Sequence, residues 1–159
     1  MSSNYITYNR NVHGDPMNLI IPNLYLGSMF AGFNPLYLSN RGIRSVLQVC
    51  PSIPMNTQER NMNRWIISLP DVPETQLFPY FQYTCSWIQH QLRQGNPVLV
   101  HCMAGVSRSA TITIAYLMWA YGWNLKQAFQ YVQKRRNIIN PNPGFILQLQ
   151  KWEKFLKKR

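Results

Sequence analysis

The amino-acid sequence predicts a single α/β domain in which a central, mostly parallel sheet of about five strands is flanked by helices. Two observations predict it. Short apolar, β-branched runs alternate along the chain with longer amphipathic stretches, which is the order of elements in folds built from strands and helices in turn. The chain has 159 residues, of which 46% are hydrophobic, so it is long enough to bury one core.

The first part of the chain predicts an arm followed by a hairpin. Residues 1–17 mix polar and aromatic types without a clear period, so we expect a loosely held arm before a domain over residues 18–159. Residues 19–27 predict two short strands on either side of a Pro-Asn turn. A short helix is expected over residues 35–39.

The middle of the chain predicts two more strands and a long helix. Residues 45–50 and residues 65–69 are apolar runs, each closed by a proline, and a polar loop over residues 51–64 separates them. Residues 79–93 predict a helix, because a proline begins the stretch, a glycine follows it closely, and apolar residues recur along one face.

The stretch from Pro97 to Tyr121 combines a strand, a tight loop and the start of a helix. Unpaired backbone amides and the helix dipole make such a junction a binding site for anions. Cys102 stands at the entrance of the loop, where this positive field favours a thiolate. Arg108 follows six residues later, and its planar guanidinium can bind two oxygens of one phosphate. A thiolate beside a dianion site is a nucleophile suited to phosphorus.

Two further helices complete the predicted fold. One extends from Asn124, a suitable capping residue, to about Arg136, and the other follows the break at residues 140–144. Ligands of such folds bind beyond the carboxyl ends of the strands, which is where Cys102 is expected to lie.

The stretch around Cys102 resembles the signature of the cysteine-dependent protein phosphatases, and residues 104–110 are similar to the dual-specificity branch of that family. The similarity rests on the sequence His-Cys-x2-Gly-x2-Arg-Ser between a strand and a helix. Residues 24–28 and residues 140–145 match two other segments of the family. The resemblance covers about residues 18–157, and it implies a cysteine-phosphatase-like sheet.

The resemblance also implies roles for the residues of this stretch. Cys102 forms a phosphocysteine intermediate, Arg108 binds the phosphoryl oxygens, Ser109 hydrogen-bonds the thiolate, and His101 positions the cysteine. No cofactor is required. Backbone amides of the phosphate-binding loop hold the equatorial oxygens, and the loop consists of Met103, Ala104, Gly105, Val106, Ser107 and Arg108.

The reaction needs a proton donor, and the chain offers few carboxylates. They are Asp15, Glu59, Asp71, Glu74 and Glu153. Asp71 directly follows the strand predicted over residues 65–69, so it emerges at the edge of the sheet that carries Cys102. The family places its acid in this loop about thirty residues before the cysteine, and Asp71 precedes Cys102 by 31 residues. We therefore expect Asp71 to be the acid, with Glu74 as the alternative.

The three cysteines predict a reducing compartment. Cys50, Cys85 and Cys102 are odd in number and far apart, which does not suggest a disulfide framework. We expect a cytoplasmic location, and a nuclear one also fits. The spacing of cysteine and histidine predicts no metal site. Some relatives place a second cysteine where Cys50 lies, so the resemblance suggests Cys50 as a redox partner of Cys102.

The net charge of +11 predicts attraction to phosphorylated or acidic partners. We expect a phosphorylated protein as substrate, acting in signalling, and a basic C-terminus over residues 154–159 that could dock an acidic partner. Nucleic acid is not expected but remains open, no membrane span is visible, and the oligomeric state is undetermined. The alternatives are the same chemistry on RNA 5′-phosphates or phosphoinositides, and a phosphoprotein-binding module without activity.

Overall fold

The computed structural model describes residues 14–51 and residues 62–159. Within these residues five strands form one sheet in the order β1-β2-β5-β3-β4, and every neighbouring pair is parallel except β1 with β2. The strands are β1 (Met17–Ile21), β2 (Leu24–Gly27), β3 (Ser45–Gln48), β4 (Asn63–Ile66) and β5 (Val98–His101). The predicted fold class is therefore confirmed. Residues 1–13 of the predicted arm and residues 52–61 of the predicted polar loop lie outside the described residues.

Helices cover both faces of this sheet. They are α1 (Met29–Gly32), α2 (Pro35–Asn40), α3 (Phe78–Arg93), α4 (Arg108–Tyr121), α5 (Leu125–Arg135) and α6 (Pro143–Lys157). Helix α4 is the centre of the larger helical layer, because it packs against α3, α5, α6 and β5 and is buried from Arg108 to Met118. The smaller layer, formed by α1 and α2, has a core of its own.

The register of the sheet brings the functional segments to one edge. Gly27 of β2 and Gln48 of β3 both pair with His101 at the end of β5. Since the three strands are parallel, the residues that follow them emerge side by side. The loop after β5, the turn after β2 and the segment after β3 therefore meet at the carboxyl edge of the sheet.

One predicted strand needs correction, and one helix was not predicted. The strand expected over residues 65–69 is Asn63–Ile66 in the structure. The last hydrogen bond from this segment to β3 is donated by Ile67 N–H to Gln48 O at 2.8 Å, and the chain leaves the sheet after it. Helix α1 was not predicted, since one turn of four residues is too short to show a helical period. Its N-cap is Ser28, whose Oγ accepts the N–H of Phe30 at 3.3 Å.

Aromatic rings contribute to the mostly aliphatic core around α4. Phe81, Phe145 and Trp152 are almost completely buried there, and the Nε1–H of Trp152 donates to Ala115 O at 3.1 Å. This packing fixes α4, and with it the loop that precedes the helix. No helix in the described ranges has the length and apolar character needed to cross a bilayer.

Candidate active site

Cys102 lies directly after β5, and its side chain is buried. Its Sγ is 3.0 Å from the Oγ of Ser109, the second residue of α4. The sulfur therefore faces the positive end of the α4 dipole and a hydroxyl that can donate to it. Both features favour a negatively charged sulfur.

Gly105 allows the loop between Cys102 and α4 to turn tightly. Its φ of 68° lies in the left-handed region that favours glycine. A Cβ atom at this position would lie 2.5 Å from Gly27 O and 2.7 Å from the Nη2 of Arg136. Any other residue would push the loop away from β2, so the sequence needs glycine here.

Hydrogen bonds from outside the loop fix the direction of its peptide groups. Four consecutive carbonyl oxygens accept such bonds: Met103 O from Met29 N–H, Ala104 O and Gly105 O from the Arg136 guanidinium, and Val106 O from Asn140 N–H. In a trans peptide the N–H points away from the preceding carbonyl. The amides of residues 104–107 therefore point away from these flanking groups, into a nest suited to an oxyanion.

Arg108 is oriented by a backbone carbonyl of the neighbouring loop. Its Nη1–H donates to Leu69 O at 2.9 Å, and its side chain is buried. The Nε–H is also buried, and it has no hydrogen-bond partner among the described residues. A buried donor without a partner is costly, and an oxygen of a bound phosphate would supply one.

Asp71 is exposed, and one residue links it to the loop. Its Oδ1 accepts a hydrogen bond from the Nδ2 of Asn142 at 2.9 Å, while the backbone N–H of Asn142 donates to the Oγ of Ser107 at 2.9 Å. A single side chain thus holds the Asp71 carboxylate beside the phosphate-binding loop. For the exposed carboxylate of Glu74, the expected alternative, the described residues provide no hydrogen-bond donor.

His101 is buried and neutral. The pKa of the imidazole is lowered from 6.5 to about 4, chiefly by burial and also by the nearby charge of Arg64, while a hydrogen bond to the Cys102 backbone acts to raise it. That bond joins Nδ1 to Cys102 O at 3.1 Å, so the neutral ring donates to the backbone of the nucleophile. The ring packs against Gly32, where a Cβ atom would collide with it. His101 can therefore position Cys102 without exchanging a proton with the sulfur.

Cys50 reaches the same edge of the sheet. It lies two residues beyond the end of β3, is completely buried, and is free, as are Cys85 and Cys102. Burial, and after it the negative charge of Cys102, raise the pKa of the Cys50 thiol to about 11, while the charges of Arg108 and Arg64 act to lower it. Cys50 is therefore a neutral thiol close enough to the nucleophile to sense its charge.

Arg136 is one functional residue that the sequence did not single out. Its side chain is 2% exposed. Besides the loop carbonyls, Nη1–H donates to Asp15 O at 2.6 Å and to the Oδ1 of Asn18 at 2.8 Å. A signal was available: Arg136 follows the buried Val132 by four residues, so it continues the inward face of α5.

The site therefore combines a nucleophile, an oxyanion nest, a guanidinium and a carboxylate held by hydrogen bonds to one loop. Within residues 14–51 and 62–159, no three His, Cys, Asp or Glu side chains are arranged to hold a metal ion. The constellation can transfer a phosphoryl group to sulfur and then to water.

Comparison with known proteins identifies the family. Residues 24–155 match the family model described as dual specificity phosphatase, catalytic domain. The chain is 39% identical over 140 residues to dual specificity protein phosphatase 1 of Arabidopsis thaliana, an alignment that covers 88% of this chain and 70% of that protein. The crystal structure of human DUSP28 superposes with a TM-score of 0.83 at 34% identity, covering 90% of this chain and 96% of that one.

Other relatives are much longer. The chain is 39% identical over 146 residues to protein phosphatase Slingshot homolog 3 of Rattus norvegicus, which covers 89% of this chain but only 22% of that protein. What the remainder of such relatives does therefore has no counterpart in these 159 residues.

Proposed function

The chain belongs to the dual specificity phosphatase family, and we propose that it removes phosphate from phosphotyrosine and from phosphoserine or phosphothreonine in proteins through a phosphocysteine. The protein phosphatase class follows from the family match over residues 24–155. One observation carries the assignment of residues. Cys102 Sγ lies 3.0 Å from a hydroxyl at the N-terminus of α4, within a loop whose amides form an oxyanion nest.

In the first step the Cys102 thiolate attacks phosphorus. The S–P bond forms, the bond between phosphorus and the substrate oxygen breaks, and Asp71 in its acid form gives its proton to that oxygen. Arg108 and the loop amides stabilise the negative charge on the equatorial oxygens. Positioning and charge stabilisation of this kind account for most of the catalysis of phosphoryl transfer.

In the second step water replaces sulfur. The Asp71 carboxylate takes a proton from water, the water oxygen attacks phosphorus, and the S–P bond breaks. The thiolate that leaves regains the hydrogen bond from the Oγ–H of Ser109, which lowers the barrier to its departure. Inorganic phosphate is released, and both groups return to their starting protonation states.

The test is phosphate release from a peptide phosphorylated on Thr and Tyr. We expect the wild type to remove both phosphates and Cys102→Ser to remove neither. Asp71→Asn should lower kcat by about 100-fold or more, whereas the matched variant Glu74→Gln should retain it. Retained activity in Asp71→Asn together with loss in Glu74→Gln would transfer the acid role to Glu74. Removal of phosphate from Tyr alone would contradict dual specificity.

Protein substrates are favoured over the two other phosphorylated classes by the composition of the loop. None of Met103, Ala104, Val106 and Ser107 carries a charge, whereas a phosphoinositide headgroup or an RNA end offers further phosphates that basic side chains in the loop would pair. The presence of Cys102, Asp71 and Arg108 together favours an enzyme over a phosphoprotein-binding module.

For Cys50 we propose a protective role during oxidation. A sulfenic acid on Cys102 would be attacked by the Cys50 sulfur, so that water leaves and a disulfide forms. The raised pKa of Cys50 makes this attack slow at neutral pH. Mass spectrometry after mild peroxide should find a Cys50–Cys102 disulfide. Sulfinic acid on Cys102 without that linkage would refute the role.

The basic C-terminus is proposed to dock an acidic partner. Lys154, Lys157, Lys158 and Arg159 are exposed, and within the described ranges the one acid that pairs with them is Glu153, which lies 3.9 Å from Lys157 Nζ. Neutralising the last three should weaken binding of an acidic phosphoprotein at low salt. Unchanged affinity would make the cluster an ordinary solvated helix end.

A role in signalling and a location in the cytoplasm, or equally the nucleus, complete the proposal. Three free, buried thiols support a reducing compartment. Imaging of the tagged protein tests this, and accumulation in a secretory compartment would contradict it.

A further inference from the structure

An apolar cavity of about 460 Å³ lies beside the phosphate-binding loop. Three loop residues, Met103, Ala104 and Val106, form one wall. The turn after β2, residues 28–30, and Ile138 form the rest. Because the loop residues also belong to the phosphate site, the cavity adjoins the loop that would hold phosphate.

The lining is suited to an apolar group. No charged side chain lines the cavity, and its one polar side chain, Ser28, is buried with its Oγ accepting the N–H of Phe30. Met103 and Ile138 are 39% and 36% exposed, so the cavity opens to solvent between them. Methionine side chains are flexible and polarisable, and they adapt to apolar groups of different shape.

The cavity exists before any substrate binds. Met29 N–H donates to Met103 O at 3.0 Å, and Asn140 N–H donates to Val106 O at 2.8 Å. These two bonds hold the opposing walls to the loop. A side chain that enters therefore requires little reorganisation of the protein.

A second phosphate does not fit this cavity. No cationic side chain of the described residues lines the cavity, and the guanidinium of Arg136, a buried cation that contacts the same loop, is engaged by Ala104 O, Gly105 O, Asp15 O and Asn18 Oδ1. A phosphorylated or acidic side chain here would lose water without gaining a cationic partner, which is unfavourable.

We propose that the cavity is a subsite for an aliphatic or aromatic side chain of the substrate, close in sequence to the phosphorylated residue. The inference rests on the proposed function, because it requires phosphate to occupy the loop beside Cys102. It adds a preference to that function: the enzyme selects phosphoproteins that carry a large apolar residue near the phosphorylated one.

The experiment compares phosphotyrosine peptides in which each flanking position is changed in turn to Leu, Ala or Asp. At one position we expect kcat/KM for Leu to exceed that for Ala by about tenfold, with Asp below Ala. Ile138→Glu should abolish the difference between Leu and Ala, and Ile138→Leu should keep it. Tyr83→Glu is the matched control, because Tyr83 is 68% exposed on α3 and does not line the cavity.

p-Nitrophenyl phosphate has no flanking residue that could occupy the cavity, so its hydrolysis separates the two claims. Ile138→Glu should hydrolyse it at the wild-type rate. Three results would contradict the proposed subsite. They are the absence of a preference for Leu at every flanking position, a preference for Asp or for a second phosphorylated residue, and an unchanged preference for Leu in Ile138→Glu. Failure of the folded wild type to hydrolyse the aryl phosphate would overturn the proposed function, and the subsite with it.

Discussion

Cys102 differs from the other two cysteines by its surroundings and not by its burial. All three thiols are buried. Burial raises the pKa of Cys85, within α3, and it raises that of Cys50 to about 11. Cys102 instead faces the N-terminus of α4 and the hydroxyl of Ser109. The chemistry of this residue is therefore supplied by the loop and the helix that surround it.

Ser109→Ala should slow the breakdown of the phosphocysteine more than its formation. The hydroxyl bonds a sulfur whose charge is restored only when phosphate leaves, and a hydrogen bond to a charged group contributes about 1.5–3 kcal/mol. We expect kcat to fall about 10-fold to 100-fold, with a burst of the released alcohol before steady turnover. Thr113→Val, which removes a buried hydroxyl from the same helix, should give neither effect. If formation and breakdown of the phosphocysteine slowed equally, without a burst, this role would be contradicted.

The neutral state of His101 makes the fold sensitive to acid. Its pKa is 6.5 when unfolded and about 4 when folded, so the unfolded chain binds more protons between these values. Stability is therefore complete above pH 6.5 and is lost as the pH falls toward 4. From about pH 7.5 to pH 4.5 the loss should be about 2–3 kcal/mol. In denaturant unfolding, the free energy of unfolding should depend less steeply on pH for His101→Asn than for the wild type. An identical pH dependence in the two proteins would contradict a neutral, buried His101.

At the scale of elements, the active site is a junction of segments held by two residues outside the signature. Arg136, at the end of α5, joins the phosphate-binding loop to the segment that enters β1. Asn142, the N-cap of α6, joins the loop to the segment that carries Asp71. Neither side chain is placed to react, so both are positioning residues.

Arg136→Met should destabilise the fold and slow the reaction. The change leaves four oxygens without their donor, and buried unsatisfied groups cost about 1–3 kcal/mol each. We expect a loss of about 3 kcal/mol or more in the free energy of unfolding. Arg135→Met is the matched control, because Arg135 is exposed and bonds only its own helix; it should lose less than about 1 kcal/mol. Equal losses in the two variants would contradict the structural role of Arg136.

Asn142→Ala should affect substrates according to their leaving groups. Without this side chain Asp71 loses the hydrogen bond at 2.9 Å that directs it toward the loop. A phosphothreonine leaving group needs the acid, so kcat should fall about tenfold or more. p-Nitrophenyl phosphate releases a stable anion and should be affected much less. The same decrease in kcat on both substrates would indicate a general disturbance of the loop and would contradict this role.

Sequence predicted the elements and the positions of the candidate catalytic residues better than it predicted the hydrogen bonds that hold them. The strands and the signature are local patterns, so the positions of Cys102 and Asp71 relative to the sheet could be inferred. The bonds of Arg136 and Asn142 join segments far apart in the chain, as from Arg136 to Asp15, and no local pattern specifies such pairs. The end of β4 was misplaced for the same reason, because Leu69 O bonds Arg108 of another segment.

At the scale of the whole molecule, the sheet order concentrates reactivity at one edge while the charge is spread over the surface. The carboxyl ends of β2, β3 and β5 meet there, and α4 begins beneath the site. The net charge of +11 favours attraction to phosphorylated or acidic molecules in general. Their selection is then left to shape, namely the oxyanion nest and the apolar cavity beside it.

The central claim is that phosphate passes through the sulfur of Cys102. The most direct measurement is mass spectrometry of protein quenched in acid during turnover of the doubly phosphorylated peptide. We predict one phosphoryl group on Cys102 of the wild type, more of it in Ser109→Ala, and none in Cys102→Ser. Release of phosphate by Cys102→Ser at the wild-type rate, or phosphate on another residue of the active enzyme, would contradict the account.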